Sequence, residues 1–278
     1  QLGLPKMLIL GLQHMFAMFG ATVLVPILVQ SYGLPLSIQT TLFFAGVGTL
    51  FFHVCTKLKV PAFLGSSFAY LGGFSAVAQL DSGIYANMTG EEKLPYALGG
   101  IVIAGLMYLV LAALIRLLGV RNVMRYLPPV VTGPIIILIG LSLAPSAINN
   151  ASTNWWLALL SIAVVIAANI WGKGMIKIIP ILLGFLVSYI VAAICGEVDF
   201  TPVKEAAWIG LPFQMQDTVI GLLSKPDLDT GLLVTSIFTI APLSLATMVE
   251  HIGDICAISS TCERNFITDP GLHRTLLG

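Results

Sequence analysis

Apolar residues do not alternate along this chain; they run in blocks. The first, "KMLILGLQHMFAMFGATVLVPILV", is apolar on every side except at Gln13 and His14, and Pro26 predicts its end or a kink. Seven more blocks follow, so that eight are centred near Phe16, Gly46, Phe68, Ala104, Ile137, Val164, Leu186 and Pro242. A helix that is hydrophobic all round belongs in lipid or in a large core. Most of these blocks approach the roughly 20 residues that cross a bilayer.

The third block differs from its neighbours. "VPAFLGSSFAYLGGFSAVAQL" carries Pro61, then Gly65-Ser66-Ser67, then Gly72-Gly73, and is barely long enough to span. Two readings remain open on these residues: a broken helix whose exposed backbone groups face protein or a cavity, or an unbroken helix whose small residues sit at a helix contact. The blocks at 98–118, 130–143, 155–171 and 178–195 contain almost no polar side chains and read as scaffold or lipid-facing helices. Residues 199–229 make a connection longer than usual. With Trp208 and Phe213 set among charges, it predicts an external loop with a short interfacial helix. The eighth block, 231–260, contains Glu250 and Asp254, and the polar, basic-tipped "CERNFITDPGLHRTLLG" follows it.

Composition turns this pattern into a class. The 278 residues are 57% hydrophobic and only 9% charged, against about 25% in soluble domains. An all-α polytopic membrane protein with about eight transmembrane segments is expected, with no soluble domain of useful size. Net charge is zero, but the charges are unevenly placed. With a cytoplasmic N-terminus, Lys6, Lys57, Lys59, Arg116, Arg121, Arg125, Lys173, Lys177, Arg264 and Arg274 lie inside, and only Lys93, Lys204 and Lys225 outside. Ten against three is a strong orientation signal. The first block lacks a small-residue cleavage site and reads as a retained helix rather than a signal peptide. Cys55, Cys195, Cys256 and Cys262 show no C-x-x-C spacing, and buried free thiols are expected.

Chemistry concentrates in few residues. A carboxylate at mid-bilayer costs about 2.5–3.5 kcal/mol on insertion scales, so Glu250 is expected to line a pathway or to hold a partner. Asp254, four residues on, shares its helix face, but it lies nearer the cytoplasmic end, where it can also simply reach water. His14 is either a packed histidine bonded to a carbonyl or, given a buried acid elsewhere, part of a proton relay. "MVEHIGD" is no zinc site: the H-x-x-E-H form needs a histidine where Thr247 stands, and Glu250 and His251 are adjacent and point apart. Neither a phosphate-binding loop nor a G-x-S-x-G elbow occurs. No enzyme activity, cofactor or metal is predicted. The thinly spread basic residues argue against a nucleic-acid partner. A secondary transporter and a channel or noncatalytic scaffold remain. A channel would show repeated pore-lining polar residues or charged rings, and here polarity is confined to three blocks.

"LQHMFAMFGATVLVP", "VPAFLGSSFAY", "VEHIGD" and "DPGLHRTLLG", in this order and spacing, resemble the nucleobase/ascorbate transporter family over essentially the whole chain. Within it they are most similar to the bacterial uracil permeases, which are uracil:proton symporters; xanthine and uric acid permeases are the nearest alternative. The resemblance implies fourteen helices in two inverted repeats of seven. Residues 5–118 would form core-domain helices one to four, 119–200 gate-domain helices five to seven, 201–229 the external loop, and 230–278 helix eight with a cytoplasmic stretch. It also implies an extended stretch at "FLGSSF" breaking the third segment and meeting its counterpart in helix ten. The same resemblance makes Glu250 the carboxylate that hydrogen-bonds the nucleobase, with Phe68, Ser67 and Ala21 beside the substrate. Glu250, His14 and Asp254 would carry or tune proton coupling. A homodimer through the gate domain and a place in the cytoplasmic (inner) membrane, in contact with lipid, are further implications. Some uracil permeases carry histidine where Asp254 stands, and aspartate there is also common in purine transporters. The family's helix-ten carboxylate has no counterpart in these 278 residues. A chain of one repeat and a single helix of the next is expected to belong to a longer protein and not to complete a transport cycle by itself.

Overall fold

The computed structural model describes residues 3–81, 83–125, 129–205, 210–211, 213, 218–223 and 228–278, and every regular element among them is helical. In chain order these are α1 (Leu4–Ser31), α2 (Ile38–Cys55), α3 (Leu71–Ala78), α4 (Gly90–Leu118), α5 (Val120–Met124), α6 (Pro129–Ser152) and α7 (Trp155–Trp171). They continue with α8 (Met175–Ile178), α9 (Pro180–Ile194), α10 (Thr201–Glu205), α11 (Ile220–Leu223), α12 (Thr230–Ile240), α13 (Ser244–Thr261) and α14 (Leu272–Leu277).

Four helical runs are long and apolar enough to cross a bilayer: Ile38–Cys55, Gly90–Leu118, Gly133–Ser152 and Thr230–Thr261. Shorter apolar helices cover Met18–Ser31, Phe68–Ala78, Trp155–Trp171 and Pro180–Ile194. All eight fall on the apolar blocks of the sequence, as a multi-pass membrane protein requires. The last run is not one regular helix. Pro242, which has no N–H to give, sits in a 3-10 turn at Ala241–Leu243 that joins α12 to α13.

The chain divides into two compact units. One comprises Gln1–Gly20 and Gly140–Gly210. Its centre is the pair α7 and α9, which approach closely because Gly184 has no side chain: a Cβ there would lie 2.5 Å from Val165 Cγ2 and 2.9 Å from the Ser161 carbonyl. Small residues at such contacts are how helices associate where lipid removes the hydrophobic drive between them.

The other unit comprises Ala21–Ile139 and Leu211–Gly278. Its axis is α4, which opens with a capping box: the Glu92 N–H donates to Thr89 Oγ1 while the Thr89 N–H donates to Glu92 Oε2. Along α4 and α3 runs a seam of glycines against α12, where Gly73, Gly99 and Gly100 face Ile240, Leu233 and Ser236. The Ser236 hydroxyl, fully buried in this seam, has no hydrogen-bond partner among the described residues. At one end Tyr96, Leu222 and Leu232 form a small cluster, and the Tyr96 hydroxyl accepts from the Asp229 N–H at 3.0 Å. At the other end Phe52, Ile115, Ile252, Ile255, Phe266, Leu272 and Leu276 join α2, α4, α13 and α14 in one core.

Two expectations change here. The stretch after α13 is not merely polar: Phe266, Leu272, Thr275 and Leu276 are buried, because the three- to four-residue spacing of 272, 275 and 276 makes α14 an amphipathic helix. The cysteines are all free, but Cys195 and Cys262 are exposed, since each caps the end of a helix rather than sitting inside it. Of the long connection, α10 and α11 are helical, and Phe213 stacks on Phe43 with ring centroids 5.0 Å apart. Trp208, Lys225, Asp217 and Asp227, and with them the expected interfacial helix, lie outside the described residues.

Candidate functional site

The third block breaks where its sequence departs from helix chemistry. After α2 the backbone from Lys59 to Ser67 is in no regular element. Pro61 disfavours helical geometry in the residue before it, and Ser67 is extended, with φ −91° and ψ 126°. Polar groups of the neighbouring helices, one side chain and one backbone carbonyl, take the place of a strand partner. Thr49 Oγ1 on α2 accepts from the Leu64 N–H at 3.0 Å. Ser66 Oγ donates to the Thr22 carbonyl on α1 at 3.1 Å. The chain then tightens into a 3-10 turn at Phe68–Tyr70 and enters α3. The reading of an unbroken, tightly packed third helix is thereby removed.

The far end of α3 is anchored by a residue that the charge count had placed in the external loop. Lys93 is only 6% exposed, and its Nζ donates to the Leu80 carbonyl at 2.7 Å and the Ala78 carbonyl at 3.2 Å. A cation on the last carbonyls of a helix satisfies orphan acceptors and opposes the helix dipole.

Across from Tyr70 stands α13. Thr247 is 5% exposed and is the meeting point of three elements: the Tyr108 hydroxyl from α4 donates to its Oγ1 at 2.7 Å, the Tyr70 hydroxyl lies 3.2 Å away, and Thr247 itself donates to the Ser244 carbonyl at 3.1 Å. Glu250, one turn on, is half-buried and within electrostatic reach of both tyrosines and of Asp254. Among the described residues no protein group hydrogen-bonds its carboxylate. Asp254 is exposed. His251 points elsewhere, its Nε2 3.1 Å from Thr275 Oγ1 on α14 and its ring edge-on to Tyr108.

Phe68 and Ser67 are half-buried at the break, and Ala21 is an exposed residue beside Thr22, which holds Ser66. His14 is an exposed residue of α1 in the other unit. A cavity of about 490 Å³ reaches Ser66, Ser67 and Tyr70 on one side and Thr40, Thr41 and Phe44 on the other; Glu250 does not line it. Sequence reasoning passed over Thr247, Tyr70, Tyr108 and Lys93. The one signal for Thr247 was its place three residues before Glu250 in an apolar span.

Comparison with known proteins completes the description. Residues 5–278 match the model of the Permease family. The chain is 40% identical over 278 residues to the uracil permease of Bacillus caldolyticus, an alignment covering 97% of this chain and 59% of that protein. It is 36% identical to a probable uracil permease of Haemophilus influenzae, covering 98% and 61%. It is 33% identical to a putative pyrimidine permease of Escherichia coli K12, covering 97% and 58%. The chain thus spans about three fifths of the length of the curated relatives it matches. With the family model matched from residue 5 to residue 278 and a helical, multi-pass architecture to carry it, the chain belongs to the Permease family.

Proposed function

We propose that the intact protein takes up a nucleobase, uracil first among them, across the cytoplasmic membrane by proton symport, with Glu250 reading the base. One observation carries this reading: Glu250 is a half-buried carboxylate on an apolar helix, three residues on from Thr247, which contacts Tyr70 just after the break in the third segment, and it has no protein hydrogen bond among the described residues. Such a group is costly unless something else satisfies it. The edge of uracil offers N–H donors beside carbonyl acceptors. An ionised glutamate accepts from the former, and a protonated one can also donate to the latter. A single carboxyl thereby senses base and proton together. Phe68 and Ser67 stand at the start of the 3-10 turn that leads into α3, where the first backbone N–H groups of a helical run lack partners within it and can serve a ligand. Asp254, and His14 on α1, tune the proton step.

The similarity to uracil permeases over nearly the whole chain supports the choice of base. The packing of α2, α3, α4, α12 and α13 into one unit supports a core-and-gate layout within an inverted repeat, in which one bundle moves against another. The basic residues of the short loops support a cytoplasmic N-terminus. Dimerisation through the gate domain belongs to the same reading.

Uptake of labelled uracil by cells producing the intact protein tests it. Saturable uptake that is abolished by a protonophore and by Glu250→Gln is expected. Proton-driven accumulation by Glu250→Gln refutes the role of Glu250. Competition by xanthine or uric acid rather than by uracil moves the substrate to the purines, and the absence of any saturable uptake favours a channel or scaffold.

A further inference from the structure

The three contacts at Thr247 Oγ1 are all hydrogen bonds at once in only one arrangement of hydrogens. A threonine hydroxyl has one hydrogen and two lone pairs. The Ser244 carbonyl only accepts, so the Thr247 hydrogen goes to it, at 3.1 Å. Both lone pairs then accept, from the Tyr108 hydroxyl at 2.7 Å and the Tyr70 hydroxyl at 3.2 Å. Each phenol has a single hydrogen, and here both are spent on Thr247. Towards any other neighbour the two hydroxyls present only lone pairs.

Glu250 is that neighbour: three residues on from Thr247 along α13, it shares the helix face to which both tyrosine hydroxyls are bonded. Two phenols beside a half-buried carboxylate would ordinarily satisfy it, since hydrogen bonds to an ionised acceptor are among the strong ones. Here they do not. We propose that Thr247 sets the hydrogen-bond polarity of the site: by holding the hydrogens of Tyr70 and Tyr108, it keeps Glu250 an unsatisfied acceptor, reserved for an N–H of the ligand. Thr247 is thus a positioning residue, and it acts through the two tyrosines rather than by touching the ligand. The inference rests on the reading of Glu250 proposed above and adds the reason its affinity for a donor is not consumed by the protein.

The test is uracil binding to the purified intact protein in lipid nanodiscs. Thr247→Val keeps the shape and removes the hydroxyl. The freed phenol hydrogens can then turn to Glu250, three residues on from Thr247 on the same helix face. The Kd for uracil is expected to rise by about tenfold, the scale of one competing charge-assisted hydrogen bond. Thr247→Ser is expected to stay within about threefold of the parent, because the hydroxyl remains. The decisive variant is Thr247→Val/Tyr70→Phe/Tyr108→Phe, which removes the competing donors and is expected to recover most of the lost affinity. A packing role for Thr247 predicts instead that the triple variant binds no better than Thr247→Val.

Tyr70→Phe alone offers a second measure that does not depend on the stability of Thr247→Val. Its hydrogen being committed elsewhere, uracil affinity should stay within about threefold of the parent. A tenfold loss would mean that Tyr70 donates to the ligand or to Glu250, and would overturn the inference. An unchanged Kd in Thr247→Val, or no recovery in the triple variant, overturns it as well. Glu250→Ala in the same assay separates the two levels. If it abolishes binding while Thr247→Val binds normally, only the role of Thr247 falls; if it binds normally, the reading of Glu250 falls and takes this inference with it.

Discussion

Gly100 lies where α4 and α12 cross with backbone nearly against backbone. A Cβ built on it would sit 2.8 Å from the Ser236 carbonyl oxygen, 3.0 Å from Ile240 Cβ and 3.2 Å from Ile240 Cδ1. Ordinary contacts between carbons fall near 3.5–4.0 Å, so Gly100→Ala requires α12 to withdraw by roughly 0.5–1 Å. Two of the three atoms belong to backbone or to a branched Cβ and cannot swing aside. Overpacking of this kind costs about 1–3 kcal/mol, while alanine in place of glycine in a helix returns up to about 1 kcal/mol. Gly105 on the same helix separates the two effects, because a Cβ there meets nothing within 4 Å. Gly105→Ala therefore collects the propensity gain without the strain. Gly99 is intermediate: its closest contact is Leu233 Cδ1 at 2.9 Å, the flexible end of a side chain. Unfolding of the three alanine variants in detergent, followed by tryptophan fluorescence, should rank Gly105 as most stable, then Gly99, then Gly100. The gap between the extremes should be about 1–3 kcal/mol. Equal midpoints for Gly100→Ala and Gly105→Ala would refute the claim that this crossing is held at its closest approach.

Two further predictions concern charge. Lys93→Met keeps the length of the buried side chain but leaves the Ala78 and Leu80 carbonyls without their donor, so a loss of about 1.5–3 kcal/mol is expected. Unfolding midpoints and faster amide exchange at the end of α3 would register it, and an unchanged midpoint would mean that water replaces the lysine freely. His273, at the start of α14, is held below its ordinary value of 6.5 by partial burial first and then by Arg274 and Arg116. The unfolded chain therefore binds this proton more readily than the folded one. The stabilisation is complete above pH 6.5 and is lost as pH falls below it. The effect should be small, because the ring is only partly buried, and His273→Gln should flatten the acid side of the stability profile; an unaltered profile would assign that loss to other groups.

Some of this protein was legible without any structure, for reasons that are local. A bilayer demands long apolar runs from every spanning helix, and all eight runs read from the sequence are apolar helices in the fold. The break at Pro61–Ser67 was legible as one of two alternatives because proline and clustered Gly/Ser act on their own backbone. Glu250 stood out because the cost of a carboxylate in an apolar span depends on the span alone. What escaped depends on neighbours distant in sequence. Lys93 looked like an external charge until α3 brought the Ala78 and Leu80 carbonyls to it. Thr247 looked like any small polar residue in a helix. Only the approach of Tyr70 from the broken segment and Tyr108 from α4, separated from it by 177 and 139 residues, makes it the point where hydrogen-bond direction is decided. The sequence by itself determined the class and the acid and narrowed the third segment to two readings, since each follows from a residue and its immediate chain. The tertiary structure alone decided which of the described groups satisfy one another, and which carboxylate is left without a donor among them, since hydrogen bonding is settled by proximity in space and by a limited number of hydrogens.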